Sequence, residues 1–242
     1  MKIIYKNWSL TLDLNGGRIN ELSHKNSKVF GTYQRIDGKI GSTHICAPSF
    51  DKEGMEKYNL PFHGYARSLM WSCNQQTATS IRISAKTITS EAYPAELELS
   101  QEFILNDTFT HHISIKHISG KPVPINIAIH YYWDTPRGWE ESAINSKQLA
   151  TNIRTNGYMN LEENNIITFP HARYEMKSNG LRSAALWTSF KTDENGEKKF
   201  NQDFCCVEPV IKWPGYFGTN KSILKKGEIK KISISLGAGE RT

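Results

Sequence analysis

The sequence predicts an all-β fold, a large antiparallel β-sandwich, and three observations carry that prediction. Apolar and polar residues alternate with period two in short runs rich in β-branched side chains. Turn formers interrupt those runs at frequent intervals, among them Asn106-Asp107, Ser119-Gly120-Lys121-Pro122 and Lys226-Gly227. No long window repeats its apolar residues at the spacing of a helical stripe.

Taken in order, the first clear run sets Ile81, Ile83 and Ala85 against Arg82, Ser84 and Lys86. Leu97 and Leu99 lead towards Phe103, and Ile113 and Ile115 alternate with His112, Ser114 and Lys116. Near the end, Ile232, Ile234 and Leu236 alternate with Lys231, Ser233 and Ser235. One wet face and one apolar face per strand is the pattern of packed antiparallel sheets. Three long stretches resist a strand reading: 38–60, 134–148 and 192–203. Long irregular segments are more often functional than idle. The first two carry Trp, His, Arg and Pro and suit the walls of a ligand cleft, whereas 193–199 reads as an exposed loop.

Composition narrows the class. The 242 residues, set against roughly 150 per domain, allow one or two domains. With no low-complexity linker and no internal repeat, one domain over residues 1–242 is expected. A hydrophobic fraction of 38% supplies a real core and excludes a disordered or collagen-like chain. Thirty Lys and Arg against 24 Asp and Glu leave a net charge of +6, but the basic residues are mostly scattered. Their one dense cluster, Lys221, Lys225, Lys226, Lys230 and Lys231, is interrupted by Glu228 and reads as a solvated hairpin. No arginine-rich arm, zinc-finger spacing or aromatic RNA-binding motif accompanies it, so no nucleic-acid partner is expected. The N-terminus lacks the apolar run of a secretory signal, and no stretch approaches the roughly 18 apolar residues of a membrane span. A cytoplasmic protein without a membrane partner is expected; nothing in the sequence specifies an oligomeric state. Cys46 and Cys73 are isolated, and Cys205 and Cys206 are neighbours whose side chains leave opposite faces of a strand. Reduced, buried thiols are expected, with no metal or cofactor.

Three segments carry chemistry. In residues 122–133, Ile125, Ile127 and Ile129 point into a core, while Asn126, Ala128, His130 and Tyr132 share the other face. A polar group, a small residue, an imidazole and a phenol pack poorly but line a concave site well. In 60–67, Pro61 and Gly64 bracket His63, placing it in a tight turn where backbone can approach a ligand. In 204–209, Phe204, Cys206 and Glu208 share one face, and Pro209 ends the strand's pairing or sets it at an edge. A carboxylate there is either a solvated rim group or, if desolvated, a base of raised pKa.

Together these segments resemble the aldose 1-epimerase (galactose mutarotase-like) family, and within it the hexose-6-phosphate mutarotase branch. The resemblance rests on His63-Gly64-Tyr65-Ala66-Arg67, His130-Tyr131-Tyr132-Trp133 and Cys206-Val207-Glu208-Pro209, in that order. Gly16-Gly17-Arg18-Ile19 resembles the family's opening strand, and residues 224–228 the loop before its last. The resemblance implies a galactose mutarotase-like supersandwich with a sugar as its small-molecule partner. It implies an isomerase interconverting the α and β anomers of a hexose or hexose phosphate. Glu208 would be the general base at the anomeric hydroxyl, His130 the general acid at the ring oxygen, and His63 a group that holds and polarises that oxygen. Arg67, Tyr132, Trp133 and Asn126 would contact the sugar, with Trp213 a second aromatic candidate. The alternative is a non-catalytic carbohydrate-binding or sensing module on the same fold. Two departures stand out. Ile40-Gly41-Ser42-Thr43-His44 replaces the branch's arginine-led Arg-Gly-Gly segment, and asparagines at 156 and 160 occupy the region where the family tends to place a substrate-binding aspartate.

Overall fold

Period-two alternation becomes two antiparallel sheets packed face to face in a computed structural model, which describes residues 1–239. The first sheet runs in the spatial order Lys2–Tyr5, Trp8–Asp13, Arg18–His24, Ser27–Phe30, Ala128–Asp134, Phe204–Val210, Ser183–Trp187, Tyr158–Asn160. The short strand His44–Cys46 pairs with Ala128–Asp134 beside Ser27–Phe30. The second sheet contains Ala95–Leu105, Phe109–Gly120 and Ile229–Gly239 at its centre, flanked by Ala172–Asn179 and Ser80–Lys86. The alternating runs expected at 81–86, 97–103, 113–116 and 231–236 all lie in this second sheet, their apolar members buried.

The core fills the space between the sheets. Phe30 stacks on Tyr131 with ring centroids 4.4 Å apart and meets the edge of Trp133 at 4.8 Å. Across the gap, Trp133 lies 5.4 Å from both Phe169 and Tyr174 of the second sheet. One polar chain crosses this core: His111 contacts Gln101 at 3.0 Å and the Tyr131 hydroxyl at 3.1 Å, and Gln101 donates to the Gly17 carbonyl. Partners at each end make such burial tolerable.

Because odd residues of Ala128–Asp134 fill the core, even residues face away from the second sheet. That outer face carries the site, walled in part by segments that are not sheet. Stretch 38–60 supplies part of the wall as expected, through the short helix Lys52–Tyr58, whose first turn is capped by Asp51 accepting from the Glu53 amide. Stretch 134–148 does not: Trp139 and Ile144 turn inward as core, and the Trp139 indole donates to the Asn201 carbonyl at 2.6 Å. The 193–199 loop is the exposed tip of the hairpin Phe190–Thr192 and Lys198–Phe200, and the lysine-rich segment turns at Gly227 before the last strand. Cys46, Cys205 and Cys206 are buried free thiols, but Cys73 is exposed because its strand lies at the sheet's edge. No helix among the described residues is long and apolar enough to cross a membrane.

Candidate active site

Strand register assembles the centre of the site. Ala128 pairs with Val210 and Tyr131 with Val207, a register that sets His130 opposite Glu208. On its other side His130 pairs with His44, and Glu208 pairs with Ala185 of the next strand. A row of His44, His130, Glu208 and Ala185 therefore crosses the outer face of the sheet. His130 Nε2 lies 3.4 Å from Glu208 Oε1, with the two residues 5% and 3% exposed. The His130 ring is held between two others, stacked on Tyr132 at 4.8 Å and on His44 at 5.0 Å.

His63 reaches the same point from outside the sheet. Its backbone adopts φ +66° and Gly64 follows at +71°. A side chain at Gly64 would have to occupy a left-handed conformation and sit 2.8 Å from the Pro48 nitrogen, so only glycine fits. The turn swings the His63 ring edge-on to His130, with centroids 5.4 Å apart. His63 Nδ1 lies 2.8 Å from the Phe50 carbonyl oxygen, which can only accept, so Nδ1 carries the hydrogen and Nε2 a lone pair. The same logic applies to His44, whose Nδ1 donates to the Ser42 carbonyl at 2.8 Å.

Burial dominates the electrostatics. It raises the Glu208 carboxyl to about 8 and drives His130 well below its ordinary 6.5, aided by repulsion from His44 and His63. Burial likewise lowers His63 to about 4, with Arg67 adding to the effect, and His44 to about 3. Both outer histidines are therefore neutral near pH 7. A neutral His63 with its hydrogen committed to Phe50 offers an acceptor at Nε2 and has no second hydrogen to donate.

A cleft of about 990 Å³ opens over the row. Its floor includes His130 and Glu208, and its apolar surfaces are Trp187, Trp213, Phe50 and Phe62. Arg18, Arg35, Lys39 and Arg67 line it, opposed by Asp51, Glu53 and Glu56 around the short helix. Arg35 is neutralised by Asp37 at 3.1 Å and lies over the Trp187 ring at 5.1 Å. Arg18 donates to the Arg67 carbonyl at 3.1 Å, and neither guanidinium has a carboxylate within ion-pair distance among the described residues. Burial and the adjacent Arg67 charge pull Arg18 below its ordinary pKa.

Of the residues expected from sequence, Glu208, His130, His63 and Arg67 converge on this cleft, as does Trp213, the second aromatic candidate. Tyr132, Asn126 and Trp133 do not line it. Tyr132 lies beneath, 2% exposed, covered by Gly41, where a Cβ would come within 2.8 Å of the phenol oxygen. Asn126 is buried and donates to the Lys212 carbonyl at 2.9 Å, a role in holding the 210–214 segment. Trp133 is on the wrong face altogether: as an odd residue it is fully buried between the sheets, so it cannot touch a bound ligand. Trp187 and Trp213 supply the aromatic surfaces instead. Asn156, from the region of the family's aspartate, lines the cleft; so do Arg18 and Trp187, which are not among the expected contacts but alternate with core residues Ile19 and Leu186 and so carry an outward signal. One set of three potential metal ligands, His130, Cys206 and Glu208, converges among the described residues.

Comparison with known proteins agrees with this architecture. The aldose 1-epimerase family model matches residues 26–208. No curated protein sequence matches the chain. Among solved structures, a galactose mutarotase related enzyme from Lactobacillus acidophilus superposes with a TM-score of 0.75 at 13% identity, covering 100% of this chain and 98% of that one. A galactose mutarotase-like protein from Lactobacillus casei gives 0.74 at 14% identity, covering 99% of each chain. One from Clostridium acetobutylicum gives 0.72 at 13% identity, with 99% and 95% covered. These likenesses identify the fold as the galactose mutarotase-like β-sandwich.

Proposed function

Because the chain belongs to the aldose 1-epimerase family, we propose that it catalyses mutarotation of an aldose carrying an anionic group, of which a hexose phosphate is the simplest case. The observation that supports this best is the buried His130–Glu208 pair on the floor of an open cleft. With Glu208 raised to about 8 and His130 lowered, the pair holds one proton between two sites at neutral pH. Ring opening needs that arrangement: one group to take a proton and one to give it. Transfer of the shared proton to His130 Nε2 leaves Glu208 as a carboxylate. Glu208 then removes the proton of the anomeric hydroxyl, the C1–O5 bond breaks, and His130 protonates O5. Rotation about C1–C2 followed by the reverse transfers closes the other anomer. No net proton is gained or lost.

His63 Nε2, an acceptor, receives a hydroxyl hydrogen of the sugar and orients it. Trp187 and Trp213 offer flat faces for its C–H surface. The anionic substituent is assigned to Arg18 and Arg67, which share one side of the cleft with no carboxylate of their own. Polarimetry of freshly dissolved aldoses and aldose phosphates tests the reading. Decay of optical rotation should accelerate over buffer for the anionic sugars, and Glu208→Gln should abolish the acceleration. Arg67→Ala should lower kcat/KM for a phosphorylated sugar about tenfold or more while changing a neutral sugar little. Sugar binding with no acceleration of any aldose would instead make the protein a carbohydrate-binding module.

A further inference from the structure

Cys206 has no part in the mutarotation chemistry, yet its position is unlike that of the other cysteines. It shares the outer face of strand Phe204–Val210 with Glu208, two residues on, and is paired across the sheet with Tyr132 on one side and Trp187 on the other. The Cys206 Sγ, the His130 ring nitrogen and a Glu208 carboxylate oxygen all lie within 4.8 Å of one another. The His130–Glu208 edge of this triangle is already 3.4 Å, the separation of two ligands on one tetrahedral ion. Cys205, the neighbour in sequence, faces the inter-sheet core and cannot contribute.

We propose that His130, Cys206 and Glu208 form a binding site for a thiophilic divalent cation of the zinc class, and that its occupancy shuts down the active site. The donor set is one imidazole, one thiol and one carboxylate, with the fourth position open to the cleft, where water completes a tetrahedron. Binding forms bonds from the metal to the sulfur, nitrogen and oxygen and releases the protons held by the thiol and by the His130–Glu208 pair to solvent. Nothing is oxidised or reduced. The ion and the sugar exclude each other because the metal occupies the lone pairs that mutarotation uses.

The surroundings say that the ion is an inhibitor and not a permanent constituent. A histidine in a dedicated metal site donates its second ring nitrogen to a fixed acceptor. His130 Nδ1 is buried with no hydrogen-bond partner. The site therefore has the ligands but lacks the supporting contact that makes a metal centre tight, which favours reversible capture. Access is from the cleft, where His130 and Glu208 are already part of the lining.

The metal-binding half of this proposal stands independently; the inhibition half rests on the mutarotase reading. Both are tested in the whole 242-residue chain carrying Cys73→Ser, which removes the exposed thiol. Titration with Co²⁺ should produce a near-ultraviolet thiolate-to-cobalt charge-transfer band and intense visible bands of a four-coordinate ion. Adding Cys206→Ser should abolish the charge-transfer band and weaken Zn²⁺ inhibition of mutarotation at least about tenfold, with activity in chelator unchanged. Cys206→Ala, checked for native circular dichroism, serves if the serine variant does not fold. Glu208→Gln should weaken Co²⁺ binding in the same optical titration, an outcome that needs no activity. A missing charge-transfer band, or Zn²⁺ inhibition of equal strength with and without Cys206, overturns the proposal. A cobalt band that depends on Cys206 in a protein that turns over no sugar keeps the site and discards the mutarotase reading.

Discussion

Replacing Glu208 by glutamine should make the protein more stable while it destroys activity, and the gain should grow with pH. The folded-state pKa of Glu208 is raised to about 8 from its ordinary 4.5 because the carboxyl is 3% exposed and has lost its water. An acid whose pKa is higher folded than unfolded contributes stability that is complete below the unfolded value and lost as pH rises through the folded one. The wild type thus gives up under about 1 kcal/mol at pH 5, about 3 kcal/mol at pH 7 and approaches about 5 kcal/mol above pH 9. Glutamine is nearly the same shape, keeps a polar contact with His130 at 3.4 Å, and has no charge to desolvate. At about 2–4 °C per kcal/mol for a chain of this size, the variant's Tm should exceed the wild type's by roughly 6–12 °C at pH 7. Thermal unfolding of both proteins from pH 5 to pH 9 measures this directly. A Tm difference that stays constant across that range would refute the reasoning, because it would mean that Glu208 ionises without cost and is no general base of raised pKa.

Other expectations follow from the same geometry. The alkaline limb of kcat/KM should fall as pH rises through about 8, where the His130–Glu208 pair loses its one proton; a flat profile from pH 6 to 10 would contradict the shared-proton mechanism. Trp133→Ala should cost about 3–5 kcal/mol in chemical denaturation, since the indole fills the space between the sheets. Trp187→Ala should raise KM with a smaller stability loss; the reverse pattern for the two tryptophans would show the faces to be misassigned. Gly64→Ala should destabilise by more than about 1 kcal/mol and depress activity further by moving His63, and a variant with native stability and rate would remove the need for the left-handed turn.

Some parts of the site can be read from the linear pattern because a strand has a period of two. Ile125, Ile127 and Ile129 announce a core face, so His130 must occupy the other, and Glu208 is separated from Phe204 by two such steps. The tight turn at His63 follows from Gly64. The same rule, applied one residue further, excludes Trp133 from the site, since it shares the face of Tyr131. Asn126 and Tyr132 lie on the right face, but segments distant in the chain, at Lys212 and Gly41, cover them, and alternation says nothing about cover.

The dense lysines near the C-terminus form a surface turn, whereas the arginines that line the cleft, Arg18, Arg35 and Arg67, are scattered through the first third of the chain. By itself the sequence determined the strand period, the inward and outward assignment of most residues and the family resemblance, because each depends on neighbours a few residues apart. Only the tertiary structure decided that His44, His130 and Glu208 stand in one row, that burial raises the Glu208 carboxyl and lowers both imidazoles, and that Cys206 stands beside them. Those facts depend on the register between strands some 80 residues apart and on the water that register excludes.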